Sequence, residues 1–367
     1  MKNYLRSIIT FAFILAFSVQ PINSYAADGH GSDEGEPMDI KVLILEHLGD
    51  AYEWHITTIN DNHISIPLPV ILYSETSGFH CFSSAKFHHG HDSYNGFYIA
   101  SEGAYKGKIV EKGATGEEVR PWDISITKNV AALFISCILL LFIVIGVANW
   151  YKKQKKEGVY KAPGGFVGAM EMFIMSVQDD IIKPCVGKNY QKFSPYLLTA
   201  FFFIFINNIM GLIPLFPGGA NVTGNIAVTL VLGLCTFFIV NIFGTKEYWR
   251  EIVNPDVPTW LKLPIPIMPA IEVVGIFTKP FALIIRLFAN ILAGHSIVLG
   301  LVCLIFVTAS LGPVISGSMT FVSVLLTIFI DFVEILVAYI QAYVFTMLSA
   351  VFIGLAQVEP HHHTSKH

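Results

Sequence analysis

Long apolar runs alternate with short polar segments over the last two thirds of the chain. The first run, Val130–Trp150, is followed at once by the cationic segment Tyr151-Lys-Lys-Gln-Lys-Lys156. About 20 apolar residues in a helix suffice to cross the ~30 Å hydrocarbon core of a bilayer. The pattern therefore predicts five membrane spans, at about 130–150, 195–216, 225–243, 268–309 and 319–358.

The last two predicted spans are too long for helices that cross the membrane directly. Each covers about 40 residues, which as continuous helix would measure ~60 Å, about twice the hydrocarbon core. We therefore expect a C-terminal hairpin, joined near Leu311–Gly317, whose helices are strongly tilted or broken. Strong tilt would lay one face of the hairpin along a neighbouring protein in the membrane plane.

Two segments between the spans have a different pattern. Gly164–Ile182 combines apolar residues at helical spacing with Glu171, Asp179 and Asp180. We expect an amphipathic helix there, lying on the cytoplasmic surface of the membrane. The segment Thr245–Pro269 holds several prolines, and we expect it to be irregular.

Lysine and arginine positions predict the orientation of the spans. The two predicted outer turns contain neither residue. By the positive-inside rule, the basic segments lie in the cytoplasm, so the N-terminus is outside and the C-terminus inside. The basic residues of the predicted cytoplasmic side are Lys152, Lys153, Lys155, Lys156, Lys183, Lys188, Lys192, Lys246, Arg250 and Lys262.

The N-terminal part of the chain is predicted to be exported. Lys2 and Arg6 precede a short apolar run and Ser24-Tyr-Ala26, as in a cleavable signal peptide at 1–26. An uncleaved anchor helix is the alternative, but the run is short for a span. Alternating residues predict short strands in a β-rich external segment at 27–129, which would cap or contact neighbouring subunits. Residues 359–367 would form a cytoplasmic tail.

Composition narrows the class of protein. The chain is 53% hydrophobic and 14% charged, with a mean hydropathy of +0.59. The sequence therefore predicts an all-α polytopic membrane protein with a small β-rich appendage. The chain has no basic patch for nucleic acid. Histidines are frequent at 27–129, but no Cys/His framework has metal-ligand spacing, so we expect no metal and no cofactor.

Arg286 is the only permanent charge in the apolar run FALIIRLFANILAGHSI, Phe281–Ile297. An arginine at the bilayer centre costs about 2.5–3.5 kcal/mol on insertion scales and cannot lose its proton. Such a residue normally faces a bundle interior, a water-filled cavity or a carboxylate. Ala289, Ala293 and Gly294 follow it, and small residues favour close approach of another helix.

Polar residues form a stripe on each of the two long helices. Glu272, Lys279 and Arg286 recur every seven residues, with Asn290 on nearly the same face and His295 pointing away. On the last helix the stripe contains Asp331, Glu334 and Gln341. An alternative hypothesis is that Glu272, Lys279, Asp331 and Glu334 form interhelical ion pairs that hold the hairpin. That explanation is weak for Arg286, because a buried ion pair contributes little net stability.

These residues also carry a family resemblance. The run KPFALIIRLFANILAGH from Lys279 to His295, with Gln341-Ala-Tyr-Val-Phe345 and Thr223-Gly-Asn-Ile-Ala-Val-Thr229, resembles subunit a of the F-type ATP synthase membrane sector. In that family the arginine stands opposite the essential carboxylate of the rotating c-ring, between two offset aqueous half-channels. The resemblance implies this role for Arg286, which would lower the pKa of that carboxylate and block a direct leak.

Other roles are implied by position. Gln341 and Asn290 match family residues near the arginine. Where some relatives have a glutamate and a histidine, this chain has His295 and Glu334, which indicates that the two act together in the inlet half-channel. Further half-channel candidates are Glu272, Asn208, Asp331 and Lys279. Gly211 stands where some relatives have an acid, so a relay there would have to use water.

The resemblance also implies partners and a location. We expect the c-subunit ring, the peripheral-stalk b subunits, other ATP synthase subunits and membrane lipid as partners, in a bacterial inner membrane. On its own the chain would not be an enzyme. A self-contained secondary transporter that binds an anionic substrate at Arg286 is the alternative, although such transporters usually have internal repeats, which we do not find. A non-transporting assembly scaffold would not explain the polar stripes.

Overall fold

The structure is a computed structural model. It describes residues 49–59, 62–90, 92–101, 103, 105–113, 117–158, 162–213, 216–253, 267–309 and 312–357. The predicted signal peptide and C-terminal tail lie outside these residues. The chain divides into two compact units, the first made of the described residues within Met1–Ile135, Met210–Ala220 and Ser296–Asp331, the second of those within Ser136–Ile209, Asn221–His295 and Phe332–His367.

The N-terminal part of the first unit contains antiparallel strands. They are β1 (Glu53–Ile59), β2 (Asn62–Pro67), β3 (Pro69–Ser74), β4 (Gly78–Ser83), β5 (Phe97–Ile99), β6 (Ile109–Lys112), β7 (Glu118–Val119) and β8 (Trp122–Asp123). Strands β1 and β2 form a hairpin, and the others form two sheets with the orders β4-β3-β8 and β5-β6-β7. The alternating residues on which the strand prediction rests, Trp54–Ile59 and His63–Leu68, lie in β1 and, except for Leu68, in β2. The external location of the β-rich segment stays a prediction.

One small apolar core holds these sheets together. It is formed by Tyr52, Val70, Leu72, Phe87, Phe97 and Ile109, all of them buried. In β3, Val70 and Leu72 are fully buried while Tyr73 between Leu72 and Ser74 is half exposed. The strand therefore turns one face to this core and the other outward, as the two-residue period of a strand requires.

Helices make up most of the remaining described chain. They are α1 (Lys128–Glu157), α2 (Gly165–Ser176), α3 (Lys183–Val186), α4 (Tyr190–Leu212), α5 (Ile226–Ile242), α6 (Lys246–Val253), α7 (Ile267–Thr308) and α8 (Pro313–Ala356), with a π-helical segment at Val177–Ile182. Four helical stretches are long and apolar enough to cross a membrane, and the bent pair α5 and α6, at 102°, makes a fifth if counted as one span. Both of the last helices are continuous, so of the two alternatives for the hairpin, broken helices are wrong; their tilt stays a prediction.

Three predicted boundaries are wrong. Gly165–Leu212 is helical almost throughout, whereas we expected a polar connection between the helix at 164–182 and the span at 195–216. Its polar residues pair along the helix instead: Lys183 contacts Asp179 one turn before it. The surface location of the first part stays a prediction.

The other two errors are helices placed where we expected loops. Residues of the segment Thr245–Pro269 form α6 and the first turn of α7. Helix α8 begins at Pro313, inside the expected connection Leu311–Gly317. Proline is well suited to the first turn of a helix, because its missing N–H would have no partner there, and Gly312, with a φ of 98°, provides the turn before it.

The second unit has a larger apolar core. Buried side chains from the π segment, α4, α7 and α8 meet in it, including Ile181, Leu197, Phe201, Leu287 and Phe345. A polar chain crosses this core, because the Tyr196 hydroxyl lies 2.7 Å from that of Thr236, which lies 3.3 Å from that of Ser349. Buried hydroxyls are costly unless they bond to each other in this way.

Candidate functional site

Arg286 lies on a face of α7 that the described chain leaves uncovered. The side chain is exposed, and so are the apolar residues Phe277 and Phe281, each 62% exposed, and Ile285 at 38%. Ala289 and Ala293 continue the exposed surface beyond the arginine. A cation therefore stands in a largely apolar, outward-facing stripe with small residues on one side of it.

The described chain supplies no counter-ion for Arg286. No hydrogen bond or ion pair of the described residues involves its guanidinium. The same holds for Glu272, Lys279 and Asp331, so in the described chain none of these three holds the hairpin together by an ion pair. The interhelical ion-pair hypothesis therefore has no support from these residues.

Asn290 and Gln341, one from each polar stripe, lie together. The Asn290 Nδ2 donates a hydrogen bond of 2.9 Å to the Gln341 Oε1. Gln341 is only 3% exposed, whereas Asn290, one turn after Arg286, is exposed. The hydrogen bond thus ties the outward-facing stripe of α7 to the buried side of α8.

Asn208 is buried against the same part of α8. Its Nδ2 lies 3.4 Å from the backbone oxygen of Ala338, one turn before Gln341. Its Oδ1 accepts a hydrogen bond of 2.7 Å from the hydroxyl of Thr223. Both Asn208 and Thr223 are 2% exposed. The three elements α4, α8 and the segment before α5 therefore meet through polar contacts at this level.

Glu334 lies against the backbone of α7 beside His295. A Cβ atom on Gly294 would stand 2.5 Å from the Glu334 Oε1, so only glycine lets the carboxyl approach this closely. His295 is the next residue along the chain and is partly buried. The Glu334 carboxyl on α8 and His295 on α7 thus come to neighbouring positions.

Lys279 lines a small cavity between α5, α6, α7 and α8. The cavity has a volume of about 20 Å³, and Thr236, Asn241 and Tyr248 are among its polar lining residues. The Asn241 Nδ2 bonds to the backbone of Phe237, but its buried Oδ1 has no protein partner. A cavity of this size has room for one water molecule, and its polar lining residues are candidate hydrogen-bond partners for it.

The remaining candidates are less informative. Asp331 is partly buried on α8. Glu272 is also partly buried, two turns before Lys279. The structure brings Asn290 to Gln341, Asn208 to α8, and Glu334 to the neighbour of His295. It gives no such contact for Asp331 within the described residues.

Comparison with known proteins identifies the family. Residues 131–354, more than half of the chain, match the ATP synthase A chain family. The chain belongs to this family. It is 43% identical over 247 residues to ATP synthase subunit a of Chlorobium phaeobacteroides strain BS1, an alignment that covers 66% of this chain and 68% of that protein.

Two further relatives agree. ATP synthase subunit a of Chloroherpeton thalassium is 40% identical, with 68% of this chain and 72% of that protein covered. For ATP synthase subunit a of Myxococcus xanthus the identity is 39%, with 66% and 76% covered. The family match begins at the start of α1, and residues 43–125 match a separate family described as a domain of unknown function. This ATP synthase A chain family member, with its long apolar helices, is a multi-pass membrane protein.

Sequence reasoning missed three features of the site. Thr223 was part of a recognised run, but its bond to Asn208 needs the folded chain. Gly294 was read as a small packing residue, whereas it makes room for one specific carboxyl. The cavity beside Lys279 draws its polar atoms from α5 and α6 as well, and no sequence spacing signals that combination.

Proposed function

We propose that this chain is the ion-translocating stator subunit of a rotary F-type ATP synthase. It provides two half-channels that load protons onto the c-ring and unload them, and Arg286 prevents a direct leak between the two. The observation that carries this proposal is the exposed arginine on the apolar face of α7, which has no ion pair with any residue that the structure describes, in a chain of the ATP synthase A chain family. The chain takes no part in ATP chemistry itself.

The environment of Arg286 supports a partner outside this chain. A permanent charge facing lipid is costly, and a carboxylate on a neighbouring helix offsets that cost. Ala289 and Ala293, both exposed, permit such a helix to approach closely. In return the guanidinium lowers the pKa of that carboxylate, so that each rotor site releases its proton before it passes.

The polar contacts of α7 and α8 support the half-channels. The Asn290–Gln341 hydrogen bond holds both amides next to the helical turn of Arg286. His295 and Glu334 form the inlet relay, in which a water molecule bridges the ring and the carboxyl. Asn208 and Asp331 are secondary members of this path. Glu272 and Lys279, with the water-sized cavity beside Lys279, belong to the outlet half-channel.

The same proposal includes the partners, the membrane location and the orientation of the chain. Its partners are the c-ring, whose carboxylate lies opposite Arg286, the peripheral-stalk b subunits, the other ATP synthase subunits and lipid. The chain lies in a bacterial inner membrane, with the N-terminus external after signal cleavage and the C-terminus cytoplasmic. The lysine-rich end of α1, Lys152–Lys156, supports this orientation.

Replacing Arg286 by alanine tests the proposal. We expect ATP-driven proton pumping in inverted membrane vesicles to be abolished while the complex still assembles, because only the counter-charge is lost. Arg250→Ala is the matched control, since Arg250 is also an exposed arginine, and it should retain pumping. Arg286→Lys is not a control, because an ammonium differs in geometry and hydration. Full coupled pumping in Arg286→Ala would refute the proposed role of Arg286. Pumping measured with and without sodium shows whether the coupling ion is the proton or sodium.

Reconstitution separates this function from the secondary transporter. A self-contained transporter would move an anionic substrate in vesicles that contain this chain alone. The stator subunit would show no transport there and would support pumping only within the whole complex. Substrate uptake by the chain alone, lost in Arg286→Ala, would therefore favour the transporter.

A further inference from the structure

The outer face of the sheet β4-β3-β8 is apolar and exposed. Tyr73 in β3 pairs directly with Phe79 in β4 and with Trp122 in β8. These three aromatic side chains are 51%, 68% and 70% exposed, in that order, and Ile124, just after β8, is 68% exposed. Because neighbouring strands lie about 4.8 Å apart, the row extends about 10 Å across the sheet.

This face departs from what an antiparallel sheet usually shows. Val70 and Leu72 in β3 are fully buried on the opposite face, so the sheet already has one side in an apolar core. The other side of such a sheet is normally polar. Here it holds three aromatic rings, Ile124 and the exposed Cys81, and none of these five is charged. A contiguous apolar surface of this kind indicates a contact with something apolar.

The same sheet is fastened to the start of the first membrane span. The Ile124 N–H donates to the Ile71 oxygen at 3.0 Å, and the Lys128 N–H to the Ala51 oxygen at 2.8 Å. Lys128 begins α1, six residues after Trp122, and six extended residues reach at most about 20 Å. The aromatic row therefore lies close to the level at which α1 enters the membrane, and the hydrogen bonds limit its freedom to move away.

A second contact joins β1 to the segment that follows α4. Trp54 in β1, 4% exposed, packs edge-on against Phe216, with ring centroids 5.1 Å apart. Phe216 belongs to the short segment after α4, a helix of the long apolar stretch Gly165–Leu212. The β-rich part therefore contacts the rest of the first unit at two places, the start of α1 and the segment just after α4.

We propose that the face formed by Tyr73, Phe79, Cys81, Trp122 and Ile124 rests in the headgroup region of the lipid bilayer. Tryptophan and tyrosine suit that region, because each combines an apolar ring with a polar atom that stays in contact with water. The absence of charge among these five residues argues against an acidic or basic protein as the occupant. The face anchors the β-rich segment to the membrane and so fixes the angle of α1 at the surface.

Spin labels on the full-length chain test this proposal. The chain is isolated from its native membrane together with its natural partners and placed in lipid nanodiscs, with the native cysteines replaced by alanine. One label is attached at Phe79→Cys and a second, separately, at Trp122→Cys. The matched control is Lys112→Cys, an exposed position in β6 of the same unit. Collisions of each label are measured with oxygen, which dissolves in lipid, and with a water-soluble nickel chelate.

We expect oxygen collisions to exceed nickel collisions several-fold at positions 79 and 122, and the reverse at position 112. Nickel accessibility at 79 and 122 equal to that at 112 would overturn the proposal, because the face would then be in water. Protection from both reagents would also overturn it, since a protein partner would then cover the face.

A second measurement avoids the cysteine variants. In nanodiscs made with lipids brominated near the headgroup, part of the tryptophan fluorescence of the unaltered chain should be quenched. That part should be lost in Trp122→Phe, which keeps an apolar ring. If the quenched fraction is the same in both proteins, Trp122 does not contact lipid and the proposal fails. The outcome does not depend on Arg286 or on pumping, so it is independent of the proposed function.

Discussion

At the scale of single residues, Gln341 and Asn290 form the best-defined contact between candidate site residues. Gln341 is almost completely buried, and its Oε1 is satisfied by the Asn290 amide at 2.9 Å. A buried amide that loses its partner costs about 1–3 kcal/mol, whereas the net gain from forming the bond is only about 1 kcal/mol. The bond therefore matters most for holding both groups at fixed positions beside Arg286.

A double-mutant cycle tests this coupling. We expect Asn290→Ala and Gln341→Ala each to slow ATP-driven pumping, and the double variant to be little worse than the slower single variant. The reason is that either change alone already removes the hydrogen bond. Pumping rates in vesicles, with the amount of assembled complex measured in parallel, give the coupling. Strictly additive losses would show that the two amides act independently.

Gly294 presents a second test at this scale. An added methyl group would stand 2.5 Å from the Glu334 Oε1, and a flexible carboxyl can move aside. We expect Gly294→Ala to reduce pumping by about ten-fold with little loss of assembly, since displacement of a reacting group by ~1 Å can cost up to ~100-fold. Initial rates of vesicle acidification measure this.

The control for Gly294 lies on the same helix. A Cβ on Gly300 would meet nothing within 4 Å, so Gly300→Ala should pump at the normal rate. The shorter side chain of Glu334→Asp should partly restore Gly294→Ala. An unaltered rate in Gly294→Ala would mean that the position of the Glu334 carboxyl is not critical.

Prediction from the sequence worked best where the charge of one residue differs sharply from its apolar neighbours. Arg286 is evident from the sequence because a permanent charge in an apolar run has a high energetic cost. Asn290 and Gln341 were predicted from stripe positions and resemblance, and the structure joins them. Thr223 and Gly294 were not predicted as site residues, because their importance depends on which atom of a distant helix lies within a few ångströms.

At the scale of elements, two glycines set how closely helices pack. A Cβ on Gly233 in α5 would collide with the side chain of Ile284 in α7, whereas one on Gly354 in α8 would collide with the backbone carbonyl of Cys185. A side chain can be shortened or can rotate, but a helical backbone cannot. The two positions should therefore respond differently to the same substitution.

We expect Gly233→Ala to cost about 1–3 kcal/mol, as overpacking of a core usually does. Combination with Ile284→Ala should be less destabilising than the sum of the two single changes, because the truncated side chain makes room. Gly354→Ala should exceed about 3 kcal/mol, and truncating a neighbouring side chain should not relieve it. Thermal unfolding in detergent, followed by tryptophan fluorescence, measures all four variants.

Gly146→Ala in α1 is the control, because a Cβ there meets nothing within 4 Å. Its unfolding temperature should equal that of the unaltered chain. If Gly354→Ala is as mild as Gly146→Ala, the close approach of α8 to α3 is wrong.

Helices were predicted best where apolar residues alone define them. The length of α7 and α8 was evident from their apolar runs, but their continuity was not, because we expected helices that are either strongly tilted or broken. Residues 183–194, which lie between two predicted segments, are mostly helical: α3 and the start of α4 occupy them, with a break at Gly187, where φ is 75°. The start of α8 was missed because Gly312-Pro313 was interpreted as a turn, although proline also begins helices.

At the scale of the whole molecule, the connection between the β-rich segment and α1 joins two parts of the chain that match different families. The family matches meet there: one covers 43–125 and the other begins at 131. Asp50 binds two residues that lie between these matches, Thr127 and Asn129. One carboxylate oxygen accepts from the Thr127 hydroxyl at 2.7 Å, and the other from the Asn129 N–H at 3.0 Å.

Asp50 therefore caps the N-terminus of α1 from a distant part of the chain. A carboxylate at that end satisfies a backbone donor and interacts favourably with the helix dipole. We expect Asp50→Ala to weaken the first turn by about 1 kcal/mol, which corresponds to about five-fold faster amide exchange at Asn129. Hydrogen–deuterium exchange of the full-length chain in nanodiscs, read by mass spectrometry on peptides that span 124–135, measures the change.

Asp92→Ala is the control for the exchange measurement on Asp50→Ala. Asp92 is an exposed carboxylate of the same segment whose only ion pair among the described residues is a surface contact with His88, so its loss should leave exchange at 124–135 unchanged. If Asp50→Ala also leaves it unchanged, the backbone bonds Ile124–Ile71 and Lys128–Ala51 suffice to hold the connection. If exchange rises through β3 and β8 as well as at Asn129, the cap stabilises the sheet and the span as one cooperative unit, because local opening then spreads across the connection.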